Sequence, residues 1–478
     1  MVARSHFLML LCVLALCAAC QVPDAQSVQV SPVREFRPER RSIVREPVIL
    51  IPGTLGSRLF NTENGEIAWG NLSATISDLS DDLDLPIHRK RLADNRDSLR
   101  AYRVLDSVEI LAREGSGEVA FYADLIGFLQ DTLGYRPAYG RKFYQGQDLF
   151  VFFYDWRRSN VEAAVQLGEF IQSIRQDLNA PSMKFTFLAV SNGGIVARYY
   201  LRFGSDDQVS EKAPDAPFSP TYAGAKDCAR LICLGTPHVG TIDALQLIHE
   251  GYAPNVLARR YPPATIFSFP AAFELLPDPG EKIFVGDGGE TLDLNLWKPE
   301  AWTTYGLSVF GASERARLQR QIAYDIQPGQ DRDQLYEEAV SNQRAYLATV
   351  LSHAMRLKRA IAGPCEVPLH VMLGTTTPTL ARVGLELDGD EWQLYFRPRV
   401  GWGRSDPMTE AMYALGDGVV TRRSGLGEAL STSDEQLLKQ SQAFRNSLDG
   451  WTFTPFTHRA MFEDELLRLS LAELLSTP

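Results

Sequence analysis

One serine marks the place where this sequence could do chemistry. In Phe187-Leu188-Ala189-Val190-Ser191-Asn192-Gly193-Gly194 an apolar run stops at Ser191, and a second apolar run with helical spacing follows. A hydroxyl at such a bend stands clear of the strand; otherwise it is a solvated serine in a turn. It becomes a nucleophile only if a base takes its proton and that base is held in one tautomer. Seven histidines are present, and His249, His353, His370 and His458 lie well after Ser191. His370 sits inside an apolar strand pattern and reads as a core residue, while His249 and His353 lie on helical patterns. His458, in Phe456-Thr457-His458-Arg459, is where a loop runs into a final helix. The acid that would orient it is Asp417, between Gly416 and Gly418 after a short apolar run. Glycines there let a loop turn sharply at a strand end. Ser191, Asp417 and His458 in that order would perform acyl transfer through an acyl-enzyme. The oxyanion would need two backbone N–H donors. Asn192, following the serine, supplies one. Thr54 in Pro52-Gly53-Thr54-Leu55-Gly56 is the first choice for the other, with Gly53 and Leu55 as alternatives.

These residues need a scaffold, and the periodicity supplies one. Runs at 47–53, 148–156, 184–190, 229–237 and 367–375 are apolar without alternation, as expected of strands covered on both faces of a parallel sheet. Between two of them Val161, Ala164, Leu167, Ile171, Ile174 and Leu178 recur at helical spacing. Strand alternating with helix predicts an α/β fold, with function gathered at the carboxyl ends of the strands. Ala189-Val190-Ser191-Asn192-Gly193 matches the nucleophile elbow with Ala for the first Gly, and the order Ser, Asp, His is that of the α/β-hydrolase fold. The expected core runs over 47–240 and 363–478, interrupted by an insertion at about 61–119. A cap at 241–362 is too long for a loop and is rich in Phe, Leu, Trp and Pro. Phe267, Phe269 and Phe273 are its expected contacts with a greasy acyl chain.

The rest of the composition narrows the partners. The net charge of -11 excludes a general nucleic-acid binder and gives no electrostatic pull toward anionic lipid. Residues 1–20 read as an export signal, with Arg4, an apolar run from Phe7 to Leu16, and small residues after it. Leu16-Cys17-Ala18-Ala19-Cys20 resembles a bacterial lipobox, although Cys17 stands where Leu is usual; Cys20 would then carry lipid and hold the protein at a membrane facing the periplasm or exterior. The alternative is an ordinary signal cut and a soluble exported protein. Residues 21–46 are polar and read as a tether. Beyond the signal only Cys228, Cys233 and Cys365 remain, with no CxxC pair among them, so neither a metal nor a cofactor is expected. If the strands after Cys228 and Cys365 are parallel neighbours, those two thiols share an edge and a disulfide has feasible reach; three free thiols is the alternative. Cys233, inside its strand, is expected to be a buried free thiol.

Taken together and in order, Pro47-Val48-Ile49-Leu50-Ile51-Pro52-Gly53, Tyr154-Asp155-Trp156-Arg157, the Ser191 turn, Gly235-Thr236-Pro237-His238, Phe269-Pro270-Ala271-Ala272-Phe273, Gly416-Asp417-Gly418 and Thr457-His458-Arg459 resemble the lecithin:cholesterol acyltransferase family, which includes lysosomal phospholipase A2. The resemblance implies Ser191, Asp417 and His458 as the triad, an oxyanion donor at Thr54, and Trp69 in a lid touching the acyl chain. It implies a lipid ester such as a phospholipid as substrate. Val190 departs from the His common in that family before the serine, and no Cys between 21 and 227 closes a lid. A general carboxylesterase or thioesterase is the rival among enzymes, and an anchored non-catalytic binding protein the rival outside them.

Overall fold

The computed structural model describes residues 45–478 apart from 71–82, 89, 113–114, 121, 211–216, 254–259, 390, 400–404, 429–434 and 477–478. The export signal, Cys20 and nearly all of the tether lie outside the described residues.

Strands β1 (Val48–Ile51), β2 (Pro137–Ala138), β3 (Leu149–Val151), β4 (Phe185–Val190), β5 (Cys228–Leu234), β6 (Leu369–Gly374) and β7 (Gly450–Thr454) form one parallel sheet in the order β7-β6-β5-β4-β1-β3-β2. The alternation of side chains divides the apolar runs between two cores. Ile49, Ile51, Phe187, Ala189, Leu231 and Cys233 enter one. Their neighbours Val48, Leu50, Leu188, Val190, Ile232 and Leu234 enter the other. The first core is covered by helices α1 (Asn160–Asp177) and α2 (Gly193–Phe203), and the second by α4 (Glu465–Ser476) with Leu125, Ile126 and Leu129. This is the α/β-hydrolase fold expected from the sequence. The five apolar runs all hold sheet strands, and Val161, Ala164, Leu167, Ile171 and Ile174 are buried along α1, as is Leu178 just past its end. The edge strands β2 and β7 carried no such signal, because one is two residues long and the other is only half-buried, with Trp451 exposed.

β1 is the first strand of the sheet, yet it lies between β3 and β4. The chain passes to the edge strand β2, returns to β3 beside β1, and then continues on the other side through β4. The loops after β1 and β4 therefore face each other at a topological switch point, where ligand sites of such sheets collect.

The segment 241–362 is mostly helical. Its longest element is α3 (Arg332–Ile361), whose Tyr346, Leu347, Val350, Leu351, Ala354 and Leu357 are buried. A small sheet of Phe284–Val285, Thr291–Leu292, Val383–Asp388 and Glu391–Tyr395 draws strands from both sides of β6. Residues 377–416 thus form a second excursion, opened and closed by the antiparallel pair Thr377–Leu380 and Tyr413–Gly416. The early insertion contributes an antiparallel sheet of Ser57–Asn61, Ile67–Trp69 and Leu99–Val104.

The disulfide between Cys228 and Cys365 is corrected: both are free and buried, as is Cys233. The edge was rightly read, since Leu231 pairs with Leu369. The sulfur of Cys228 instead donates to the carbonyl of its own neighbour Arg230, 3.1 Å away. Burial raises the Cys365 thiol, against the pull of the nearby Arg198 and Arg202. Burial also pushes the Cys233 thiol up to about 12.

Candidate active site

Ser191 follows β4 with φ of 52°, a left-handed conformation that a serine adopts only when its surroundings demand it. The surroundings are tight. Its N–H donates to Leu234 O at 2.8 Å, and its own carbonyl accepts from Gly194 N at 3.0 Å and from the Thr236 hydroxyl at 2.9 Å. A methyl on Gly193 would overlap the Ile51 carbonyl, and one on Gly194 would overlap Thr236. Ala189 in place of the usual first glycine meets no such limit; its methyl is wholly buried in the sheet core. The serine is followed at once by α2, whose positive N-terminal end lies at the turn.

Asp417 and His458 reach Ser191 from the ends of β6 and β7, across the end of β5. The excursion of 377–416 returns the chain to the end of β6, where a methyl on Gly374 would come within 2.6 Å of the Asp417 β-carbon. Asp417 Oδ1 accepts from Val419 N at 3.0 Å and Val420 N at 2.7 Å, and Oδ2 lies 2.7 Å from His458 Nδ1. The His458 N–H also donates to Asp417 O at 2.8 Å, which fixes ring and loop together. A carboxylate can only accept, so Nδ1 carries a proton. Nε2 is then free to accept from Ser191 Oγ, 3.0 Å away. Gly235, with φ of 58°, leaves room for the ring; a methyl there would sit 3.1 Å from Cε1 and Nδ1.

Burial alone would lower the His458 pKa. The charge and hydrogen bond of Asp417, with help from Asp243 on the first turn of Ile242–Glu250, outweigh it and raise the pKa above its ordinary 6.5. Asp243 itself is raised by burial.

On the other side of Ser191, the loop after β1 stands so close that a methyl on Gly53 would lie 2.8 Å from the Ser191 β-carbon. The Pro52–Gly53 peptide is held at both ends. Tyr154 donates to Pro52 O at 2.9 Å, and Gly53 N donates to Tyr122 Oη at 2.7 Å. Gly53 is thereby removed from the oxyanion alternatives, because its N–H is already engaged. Among the described residues, the amides of Thr54, Leu55 and Asn192 have no hydrogen-bond acceptor in the protein. Leu55 has φ of 65°, and its carbonyl accepts from Trp69 Nε1 at 3.0 Å.

The remaining aromatic expectations fare differently. Trp69 is buried, packed against Trp156 with ring centroids 5.5 Å apart and against Tyr252 and Tyr261 at 6.1 and 6.3 Å. Phe269 meets Trp156 at 5.8 Å. Phe267 and Phe273 pack on each other at 5.6 Å and on Phe310, Tyr346 and Trp302. Phe267 and Phe273 are thus buried with aromatic neighbours on several sides. Of the other histidines, His370 bonds Thr452 Oγ1 at 2.8 Å, and His249 accepts from Ser308 N at 3.0 Å. His353 lies between Ser159 and Glu274, at 3.0 Å from each. None of the three contacts the Ser191 turn.

Sequence reasoning missed Tyr122, Asn160, Asp243 and Glu274. Tyr122 and Asn160 stand outside any motif, and only their position in space joins them to the site. The Tyr154-Asp155-Trp156-Arg157 block divides its work: Tyr154 holds Pro52, Trp156 bonds Ser57 O at 3.0 Å, and the buried Arg157 bonds Asp155 at 2.7 Å and Asp97 of the early insertion at 2.6 Å.

No protein-family model matches the chain, and neither does any curated protein. Among solved structures it is similar to the Tle4-Tli4 complex, with TM-score 0.49 and 13% identity over 91% of this chain and 98% of that one. It is also similar to EstA from Clostridium botulinum, with TM-score 0.34 and 12% identity over 93% and 92%. Likeness at this level adds nothing to what the sheet order and the site distances establish by themselves.

Proposed function

We propose that this protein is a serine-dependent acyl hydrolase of lipid esters, working through an acyl-enzyme on Ser191. The carrying observation is the unbroken contact from Ser191 Oγ through His458 to Asp417, 3.0 and 2.7 Å, at the carboxyl ends of parallel strands. His458 Nε2 takes the serine proton as Oγ attacks the ester carbonyl. The oxyanion accepts from the N–H of Asn192 and the N–H of Thr54. His458, now imidazolium beside Asp417, returns its proton to the leaving alcohol, and the acyl group stays on Ser191. Water completes hydrolysis by the same route. A lipid alcohol in place of water would give acyl transfer, since both fates share the intermediate.

The lipid class is supported by the apolar cap and by the resemblance to the lecithin:cholesterol acyltransferase and lysosomal phospholipase A2 family. A lipid on Cys20 would keep the enzyme beside such a substrate, although no described helix is long and apolar enough to cross a membrane. A general carboxylesterase is the second reading, favoured by the closed packing of Phe267 and Phe273.

The test is a fluorophosphonate probe followed by peptide mapping, and turnover of acetate against long-chain esters. We expect the adduct on Ser191 and a rise in rate with acyl length, each buried CH₂ contributing about 0.8 kcal/mol. An adduct elsewhere removes the serine mechanism; equal rates on short and long esters leave the general esterase.

A further inference from the structure

The ladder between β1 and β4 ends at the pair Ile51 and Ala189. Beyond it, no strand bonds join Pro52 to Thr54 on one side with Ser191 to Asn192 on the other. Yet both oxyanion donors come from these two loops. Their spacing must be set by something else.

A buried chain of hydrogen bonds spans the gap. The Asn160 and Asn192 side-chain amides bond reciprocally, Asn160 Nδ2 to Asn192 Oδ1 at 2.9 Å and Asn192 Nδ2 to Asn160 Oδ1 at 2.7 Å. Asn192 Nδ2 also donates to Tyr154 Oη at 3.3 Å, and Tyr154 donates onward to Pro52 O. At the other end Asn160 N donates to Glu274 Oε2 at 2.8 Å. Glu274 belongs to the cap helix Pro270–Glu274, and its second oxygen meets His353 of α3. Asn160, Asn192, Tyr154 and Glu274 are each 0–1% exposed. Apolar side chains of like shape could fill this space at little or no cost in stability. What an apolar packing could not supply is direction: an amide bonded on both atoms cannot rotate, and it holds the peptide that carries it.

We infer that Asn160 and Tyr154 are positioning residues, which fix the Asn192 turn and the Pro52–Thr54 loop at the spacing an oxyanion needs and tie that spacing to the seating of the cap through Glu274. The inference rests on the acyl-enzyme reading above. Neither residue would touch substrate; both act through the backbone amides of Asn192 and Thr54.

The experiment uses the full chain with Asn160→Ala, Tyr154→Phe and the double variant, a short-chain nitrophenyl ester, and the rate of fluorophosphonate labelling of Ser191. Each single variant should lower kcat ~10–100-fold, the scale of a disturbed oxyanion donor. KM should stay within about twofold, and the double variant should lose little more than the worse single one, because the residues act as a unit. Labelling should slow in parallel. The acid-side midpoint of the pH profile should not move, since His458 and Asp417 are untouched. Tyr154→Phe removes a single oxygen and serves if Asn160→Ala fails to fold. Folded variants with wild-type kcat and labelling rate would overturn the inference, as would losses confined to KM or additive in the double variant. If the wild type neither labels at Ser191 nor turns over the ester, the acyl-enzyme reading fails instead.

Discussion

The two sides of Ser191 are held by different physics. Toward β6 and β7 the contacts are ionic in character: a carboxylate bonded to two backbone amides and an imidazole whose side chain is 15% exposed. Toward β1 and β3 they are neutral and sealed: two phenols, two amides and one peptide, with Asn160 and Asn192 wholly buried. The difference follows from what each side must do. A group that trades protons has to change charge, so it needs a partner that favours the charged form. A group that only receives developing charge must not move, and neutral donors buried from water give fixed direction without the desolvation cost of an ion.

Removing the nucleophile should break the comparison most completely. Ser191→Ala and His458→Ala are each expected to lower kcat ~10⁴-fold or more on a short-chain ester, with no further loss in the double variant. Near wild-type turnover in folded Ser191→Ala would dissolve the site. Asp417→Asn is expected to follow at ~10³–10⁴-fold, by offering an amide where His458 Nδ1 needs an acceptor, while the melting temperature shifts far less than activity does. On the neutral side, Gly53→Ala crowds the Ser191 β-carbon and should cost ~10–100-fold in kcat with the pH profile unchanged. A shifted profile would mean that the two sides are not independent.

The smallest effect concerns charge alone. The raised pKa of His458 places the acid limb of kcat/KM above 6.5, because the imidazole must be neutral to act as base. Asp243→Asn removes one of the charges that raise it, so the limb should move to lower pH. A limb that stays put would deny Asp243 any part in the site. Stability runs the opposite way. The folded state holds this proton more tightly than the unfolded chain, so the contribution is complete below the unfolded pKa near 6.5 and is lost as pH rises through the folded value.

Chemistry and scaffold were legible where local pattern and function coincide. Ser191 sits at a strand-to-helix change, Asp417 between two glycines, and His458 at the start of a final helical stretch; all three were readable, and the fold brings them together. The aromatic residues of the cap were readable only as apolar. Whether Phe273 lines a tunnel or fills a core depends on Trp302 and Tyr346, distant in sequence, and composition holds no trace of that choice. The cysteines teach the same lesson more sharply: a shared edge was expected only if the two strands were parallel neighbours, which they are, but the sulfur of Cys228 turns to Arg230 O.

By itself the sequence determined the parallel sheet, the order of the catalytic candidates and the turn that exposes Ser191, because these follow from periodicity and from the backbone freedom of a few small residues. Tertiary structure alone decided which N–H groups remain free for an oxyanion. Gly53, Leu55 and Thr54 are equivalent as neighbours in a glycine-containing loop, and Tyr122, 69 residues away, separates them by taking the amide of Gly53. It alone also joined Asn160 to Asn192, a pairing 32 residues apart with no periodic signal. Hydrogen bonds of this kind depend on distances of a few tenths of an ångström between elements that meet only when the whole sheet has formed.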